Sequence, residues 1–395
     1  MELVELPDLS GRVVLQVIPD LAAGGAERTT IEVADAVTRA GGRALVVSRG
    51  GRMERDLTAV GGQLVQMNVA AKNPLTVALN ARKLASLIED QKVDLVHARS
   101  RACAWSAFWA ARQTETPFVT TYHGAYSGSS GVKKTYNSIM ARGDRVIANS
   151  NWTAERIRDA FDVEPDRLVT IPRGVDPAAF RPKSVTEIRI AEARAAWGLN
   201  AAENRLVLLL PGRMTPWKGQ MVAIDALASM SEAEREGLLL VLMGDHQGRV
   251  SYFDALKDRI DEAGLQHMVR IAPHTTDMPA ALAAADIVLA PSTRPEAFGR
   301  VAAEAGAMER PVIVADHGGA REIIIEGETG VGVAPGDPAA LAGAVRLLVS
   351  IGPAARAGMG EAGARRVAER FSSTGLQAAT LAVYTDLLKP GGRSA

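Results

Sequence analysis

Residues 286–316 read "DIVLAPSTRPEAFGRVAAEAGAMERPVIVAD". "DIVLAPS" and "PVIVAD" are short apolar, β-branched runs of the kind that form buried strands, and "RVAAEAGAM" between them has helical composition. Strand, loop, helix and strand within about thirty residues make a βαβ unit with parallel strands. The loop "TRPEAFG" then lies at the carboxyl end of the first strand, where open parallel sheets bind ligands. Glu296 is on that loop and Glu304 about a turn and a half into the helix. No Cys or His is near enough in sequence to suggest a metal. Two such carboxylates suit sugar hydroxyls, and a solvated helix residue is the plain alternative for Glu304.

The same alternation runs through the whole chain. Candidate strands in the front half are 12–18, 44–48, 63–67, 93–97, 117–122, 145–150 and 167–171. In the back half they are 205–212, 238–244, 268–272, 286–292 and 311–316. The chain's 395 residues exceed the usual size of one domain, so two are expected. "IPRGVDPAAFRPKS" has the Pro and Gly content of a hinge. The boundary is placed near residue 185, giving domains 1–185 and 186–371, with an amphipathic helix at about 372–390 that crosses back to the front. The fold class expected is α/β, two facing Rossmann-like doubly wound domains with an interdomain cleft.

Composition excludes several classes. Lys and Arg total 45, as do Asp and Glu, which gives no general reason to expect nucleic-acid binding. The front 185 residues carry 24 basic against 20 acidic residues, leaving 21 against 25 for the rest. The single Cys103 excludes an intramolecular disulfide, makes a Cys-based zinc site implausible and reads as a buried inert thiol in a reducing compartment. No run reaches the ~18 apolar residues of a membrane span, so a cytoplasmic location is expected.

Two further loops carry candidate chemistry. After the strand at 205–212, "RMTPWKG" places Arg213 and Lys218 before a helix. This arrangement suits a diphosphate: Arg grips two oxygens and Lys adds a point charge. Two solvated loop cations are the alternative reading. In "VIPDLAAGGAERTT", Gly24 and Gly25 precede a helix whose start favours an anion, although a plain turn fits as well.

"RPEAFGRVAAE" resembles the E-x7-E signature of the retaining glycosyltransferases of family 4, whose fold is called GT-B. The resemblance extends through "PGRMTPWKG", "IPRGVD", "ADIVLAPS", "GGAREII" and "GETG" and covers nearly the whole chain. It implies a UDP- or GDP-sugar donor held mainly by the back domain, with no metal or other cofactor. Arg213 and Lys218 would bind the donor diphosphate, approached from the other side by Gly25, and Glu304 the ribose. Glu296 with the backbone of Ala297, Phe298 and Gly299 would bind the donor sugar. His123, in "TTYHGAY", would sit beside the reacting sugar carbon, making His123 and Glu296 the catalytic candidates. The acceptor implied is a glycan or lipid-linked hydroxyl in bacterial lipopolysaccharide or surface polysaccharide synthesis.

Where relatives commonly read "PNGVD", this chain has "PRGVD". Arg173 is therefore a candidate contact to a phosphate or an anionic acceptor, with a solvated side chain as the alternative. "RSRACAWSAFWAAR" mixes Arg99, Arg101 and Arg112 with Trp105, Phe108 and Trp109, and Lys133 and Lys134 follow. This composition fits either a core helix or a weak peripheral contact with an anionic membrane. Rival functions are a nucleotide-sugar 2-epimerase of similar architecture and a catalytically silent nucleotide-sugar binder.

Overall fold

The computed structural model describes residues 5–22, 24–70, 73–124, 131–200 and 202–389. The chain divides into two compact units, one of residues 1–173 with 373–395 and the other of residues 174–372. The division falls after Arg173, upstream of the position near 185 expected from the Pro- and Gly-rich stretch. The reason lies in Val175 and Phe180, which pack into the core of the second unit, where Val175 N–H donates to the Phe371 carbonyl at 2.8 Å.

Among the described residues the first unit holds seven strands: β1 Val13–Val17, β2 Arg43–Ser48, β3 Gln63–Gln66, β4 Leu95–Ala98, β5 Phe118–Tyr122, β6 Arg145–Ala148 and β7 Leu168–Thr170. Their order is β3-β2-β1-β4-β5-β6-β7, and the pairings are parallel. In the second unit, β8 Leu206–Pro211, β9 Leu238–Met243, β10 Val269–Ala272, β11 Ile287–Ala290, β12 Val312–Ala315 and β13 Gly330–Val333 follow the order β10-β9-β8-β11-β12-β13, again parallel. Each sheet reverses its winding once, between β1 and β4 and between β8 and β11. Those are the switch points at which doubly wound sheets bind ligands.

Both faces of each sheet are covered, so the central strands are buried end to end. Register is pinned by one repeated device, an Asp just ahead of a strand that accepts the backbone N–H of its neighbour. Asp94 accepts from Val13, Asp144 from Phe118 and Asp286 from Val207, each at 2.7 Å. β13 carries little strand signal in its sequence, because two of its four residues are Gly and it lacks a longer apolar run.

The helix Ser373–Leu388 belongs to the first unit and lies on the helix Gly25–Arg39. Gln377 fastens it there: its amide donates to the Glu32 carbonyl at 2.7 Å and accepts from Arg39 Nη2 at 2.7 Å.

Candidate active site

In the second unit, residues 212–219 connect β8 to the helix Gln220–Ser229. Gln220, fully buried, donates to the Arg213 carbonyl at 3.0 Å and accepts from the Tyr252 hydroxyl at 3.2 Å. The backbone of Arg213 is thereby fixed while its side chain is exposed. Lys218 is more buried, its side chain 13% exposed. Its Nζ lies over the Trp217 ring, 4.5 Å from the centroid, and 2.8 Å from Glu296 Oε1.

Glu296 comes from the loop after β11 and also accepts the Ser292 hydroxyl at 2.5 Å, while the Ser292 carbonyl meets His317 Nε2 at 2.8 Å. The loop carrying Glu296, Ala297, Phe298 and Gly299 is clamped from both sides. Phe298, only 3% exposed, packs against Phe371, and the Glu296 carbonyl accepts from Gly319 N at 2.7 Å. Gly299 adopts φ +99°, and a Cβ there would press on the backbone of Ala320. The "GGAREII" stretch thus acts as the backing plate for the loop.

Gly299 ends the loop and the helix Arg300–Ala307 begins. Glu304, 6% exposed, lies 2.6 Å from Arg300 Nε. Burial pushes its carboxyl above the usual range, opposed by the Arg300 guanidinium. Both acids of the pair are therefore engaged with a cation: Glu296 with Lys218, Glu304 with Arg300. Sequence reasoning missed Arg300, although its spacing of four from Glu304 on a helix was a usable signal.

In the first unit, Gly25 opens the helix after β1, His123 follows β5 and Arg173 follows β7. The structure brings the three together. Arg173 Nη2 lies 2.9 Å from His123 Nδ1, and a Cβ on Gly25 would run into Arg173 Nη1. Arg173 is half-buried, with its guanidinium against the His123 imidazole. The helix start beside it is occupied by the chain's own carboxylate. Glu27 turns back over Gly24 and accepts its own backbone N–H, while burial holds its carboxyl above the usual range.

A cavity of about 10 Å³, room for roughly one water, is lined by Thr29, Arg99, Thr121, His123, Asn149 and Arg173 among others. Arg99 is 2% exposed and donates to Gln16 Oε1 from Nε at 2.9 Å, so it is a core residue and no part of a membrane-facing surface. His97 is fully buried, with the Tyr384 hydroxyl 2.6 Å from Nδ1 and the Thr121 hydroxyl 2.7 Å from Nε2. His123 is held well below the ordinary imidazole range, first by burial and then by Arg173 and Arg99. Asn149, which had no signal in the sequence, presents a buried Nδ2 without a hydrogen-bond partner among the described residues.

The helix Arg101–Gln113 is largely core, with Cys103, Ala107 and Phe108 buried and Arg112 paired with Asp144 at 2.8 Å. Burial pushes the Cys103 thiol up to about 12, which keeps it inert. Trp109 remains exposed. Among the described residues no single helix is long and apolar enough to cross a membrane.

Two doubly wound parallel units with polar residues gathered at the carboxyl ends of their strands have the architecture of the GT-B fold, and solved structures agree. A glycosyltransferase from Rickettsia africae superposes with TM-score 0.88 at 33% identity, covering 96% of this chain and 99% of that one. Anabaena HepE, solved with UDP, has TM-score 0.81 at 24% identity over 95% and 100%. D-inositol 3-phosphate glycosyltransferase of Jonesia denitrificans is 31% identical over 315 residues, 74% of this chain and 71% of its own length. The corresponding protein of Kineococcus radiotolerans is 30% identical over 328 residues, 75% and 72%. Residues 23–179 match the model described as Glycosyltransferase Family 4, and residues 192–366 that of Glycosyl transferases group 1. The chain belongs to the family 4, group 1 glycosyltransferases and is an enzyme of that class.

Proposed function

We propose that this glycosyltransferase moves a hexose-type sugar from a UDP- or GDP-sugar to a hydroxyl of a glycan or lipid-linked acceptor in surface-polysaccharide synthesis, with retention and without a metal. The observation that carries this reading is the Lys218–Glu296 pair at the β8/β11 switch point, with Lys218 on the loop that also carries Arg213. It sets a cation and a carboxylate, the two functions needed for a diphosphate and for sugar hydroxyls, side by side at the ligand-binding end of the sheet. The complexes of Anabaena HepE with UDP and with UDP-glucose support the donor class.

The second unit supplies the donor contacts: Arg213 and Lys218 to the diphosphate, Glu304 to the ribose, and Glu296 with the backbone of residues 297–299 to the sugar. The first unit supplies His123 beside the reacting carbon. In the reaction the bond from the anomeric carbon to the phosphate oxygen breaks, its electron pair leaving with the diphosphate. The acceptor oxygen bonds to the same face, and its proton passes to the departing phosphate. Prearranged cations stabilise the negative charge as it develops.

Incubation with UDP-glucose, UDP-GlcNAc and GDP-mannose, each with lipid-linked or oligosaccharide acceptors, tests the reading. Release of nucleoside diphosphate and NMR of the product anomer are the readouts. An inverted anomer, epimerised donor, or no turnover with any donor would overturn it. A second acceptor, D-inositol 3-phosphate, belongs in the same screen because relatives at about 30% identity are named for it. A weak contact with anionic membrane is also proposed, since Leu75, Leu79 and Trp109 are more than half exposed on two helices that pack together. Failure to co-sediment with anionic liposomes at low salt would remove it.

A further inference from the structure

Arg173 and His123 stand past the ends of β7 and β5, with Arg173 Nη2 2.9 Å from imidazole Nδ1 and 3.4 Å from the His123 carbonyl. A guanidinium has only donors and keeps its proton throughout the working range. Nδ1 must therefore be the acceptor, and the ring proton lies on Nε2. Nε2 is shielded from solvent and has no hydrogen-bond partner among the described residues. The arrangement depends on Gly25, since any larger residue would displace the guanidinium.

We infer that Arg173 is a positioning residue that locks His123 as the neutral imidazole with its proton on Nε2, presenting that N–H as a fixed donor and denying the ring a role as base. This rests on the reading above, in which His123 lies beside a sugar ring that gains positive charge. A neutral ring there avoids a further charge on the imidazole itself. Protonation at Nδ1 would set two donors against each other, so the lock opposes it directly. Other groups facing the imidazole act in the same sense or are neutral. Arg99 at the end of β4 adds positive charge, and His97 on β4 is itself held neutral by burial, between Tyr384 and Thr121.

The test is two-bond ¹H–¹⁵N NMR of the imidazoles in the whole protein, assigned with His123→Gln, together with the pH profile of transfer. In the wild type, His123 should show a protonated Nε2 and an unprotonated Nδ1, unchanged as pH falls from 8 to 5.5. In Arg173→Met the protonation midpoint should move to higher pH, and kcat should acquire an acid limb with the same midpoint while KM for the donor changes little. Arg173→Lys, which keeps a donor and a charge, should restore part of the wild-type behaviour. A wild-type His123 with its proton on Nδ1, or a midpoint unmoved in Arg173→Met, would overturn the inference. The wild-type spectrum decides the tautomer even if the variant fails to fold. Because the spectra do not depend on turnover, absence of transfer with every donor would count against the proposed function and leave the lock standing.

Discussion

Lys218 Nζ and Glu296 Oε1 stand 2.8 Å apart, and each side chain is only 13% exposed. The cation expected to grip a diphosphate is thus already neutralised by the acid expected to face the sugar. A diphosphate must compete with Glu296 for it.

This pairing yields a counter-intuitive expectation for Glu296→Gln. Removing the carboxylate releases Lys218, so nucleoside diphosphate should bind as well as to the wild type or about threefold more tightly, the scale of ~0.6 kcal/mol for a modest ion pair. Transfer should nevertheless slow, because the sugar loses its carboxylate as the ring distorts. Calorimetry with nucleoside diphosphate and a transfer assay on the same preparation give both numbers. A loss of diphosphate affinity as large as that caused by Lys218→Met would show that the acid does not compete for the cation.

Arg213→Met and Lys218→Met should each lower turnover by ~10²-fold or more, as expected when one preorganised donor to developing charge is removed. Activity should persist in excess EDTA, since the proposed charge stabilisation comes from these side chains. Inactivation by EDTA with recovery on Mn²⁺ would contradict the assignment.

Glu304 offers a test in which stability and binding move in opposite directions. Burial raises its carboxyl above the unfolded value, so folding favours the protonated form. That contribution is present below the unfolded value and lost as pH rises through the folded one. At neutral pH the ionised acid therefore costs stability in the unliganded protein. Glu304→Gln keeps an acceptor for Arg300 without the charge, so at pH 7.5 it should melt at least as high as the wild type, by up to about 2–4 °C. The increase in Tm on adding nucleoside diphosphate should shrink. A lower unliganded Tm in the variant would mean that the Arg300 pair outweighs the cost of burial.

His97 should make the first unit sensitive to acid. Its imidazole is held well below the ordinary range by burial, then by Arg99 and His123. The unfolded chain takes up a proton near pH 6.5 while the native state refuses it. Stability is then complete above about 6.5 and falls below it, by up to ~1.4 kcal/mol per pH unit for this one proton. Denaturant unfolding at pH 7.5, 6.0 and 5.0 should show the loss, and His97→Asn should flatten the slope. An unchanged slope in that variant would place the acid sensitivity elsewhere.

Most strands were legible because buried parallel strands read as continuous apolar runs; among the described residues, twelve of the thirteen stand where a strand is expected. β13 escaped because a Gly-x-Gly-x strand contains too little side chain to register. The loop positions of Glu296 and Lys218 followed from the strand–loop–helix pattern, but their pairing did not. It depends on β8 and β11 being neighbours, a property of strand order that local sequence does not carry. The same holds for Arg173. Its partner His123 is fifty positions away and reachable only because β5, β6 and β7 lie side by side. Burial of Glu304 and Arg99 likewise depends on what covers them, whereas the motif around each shows only a charge.

Tyr384 closes over His97 and Gln377 over Arg39, yet the partners stand 287 and 338 positions apart in the chain. Between Arg173 and Ser373 lie roughly 200 residues of the second unit, about 10–40 s of synthesis at ordinary rates. During that interval the helix Gly25–Arg39 waits with one flank uncovered and the His97 imidazole waits without its Tyr384 partner. The first unit is therefore begun before the second and closed only after it.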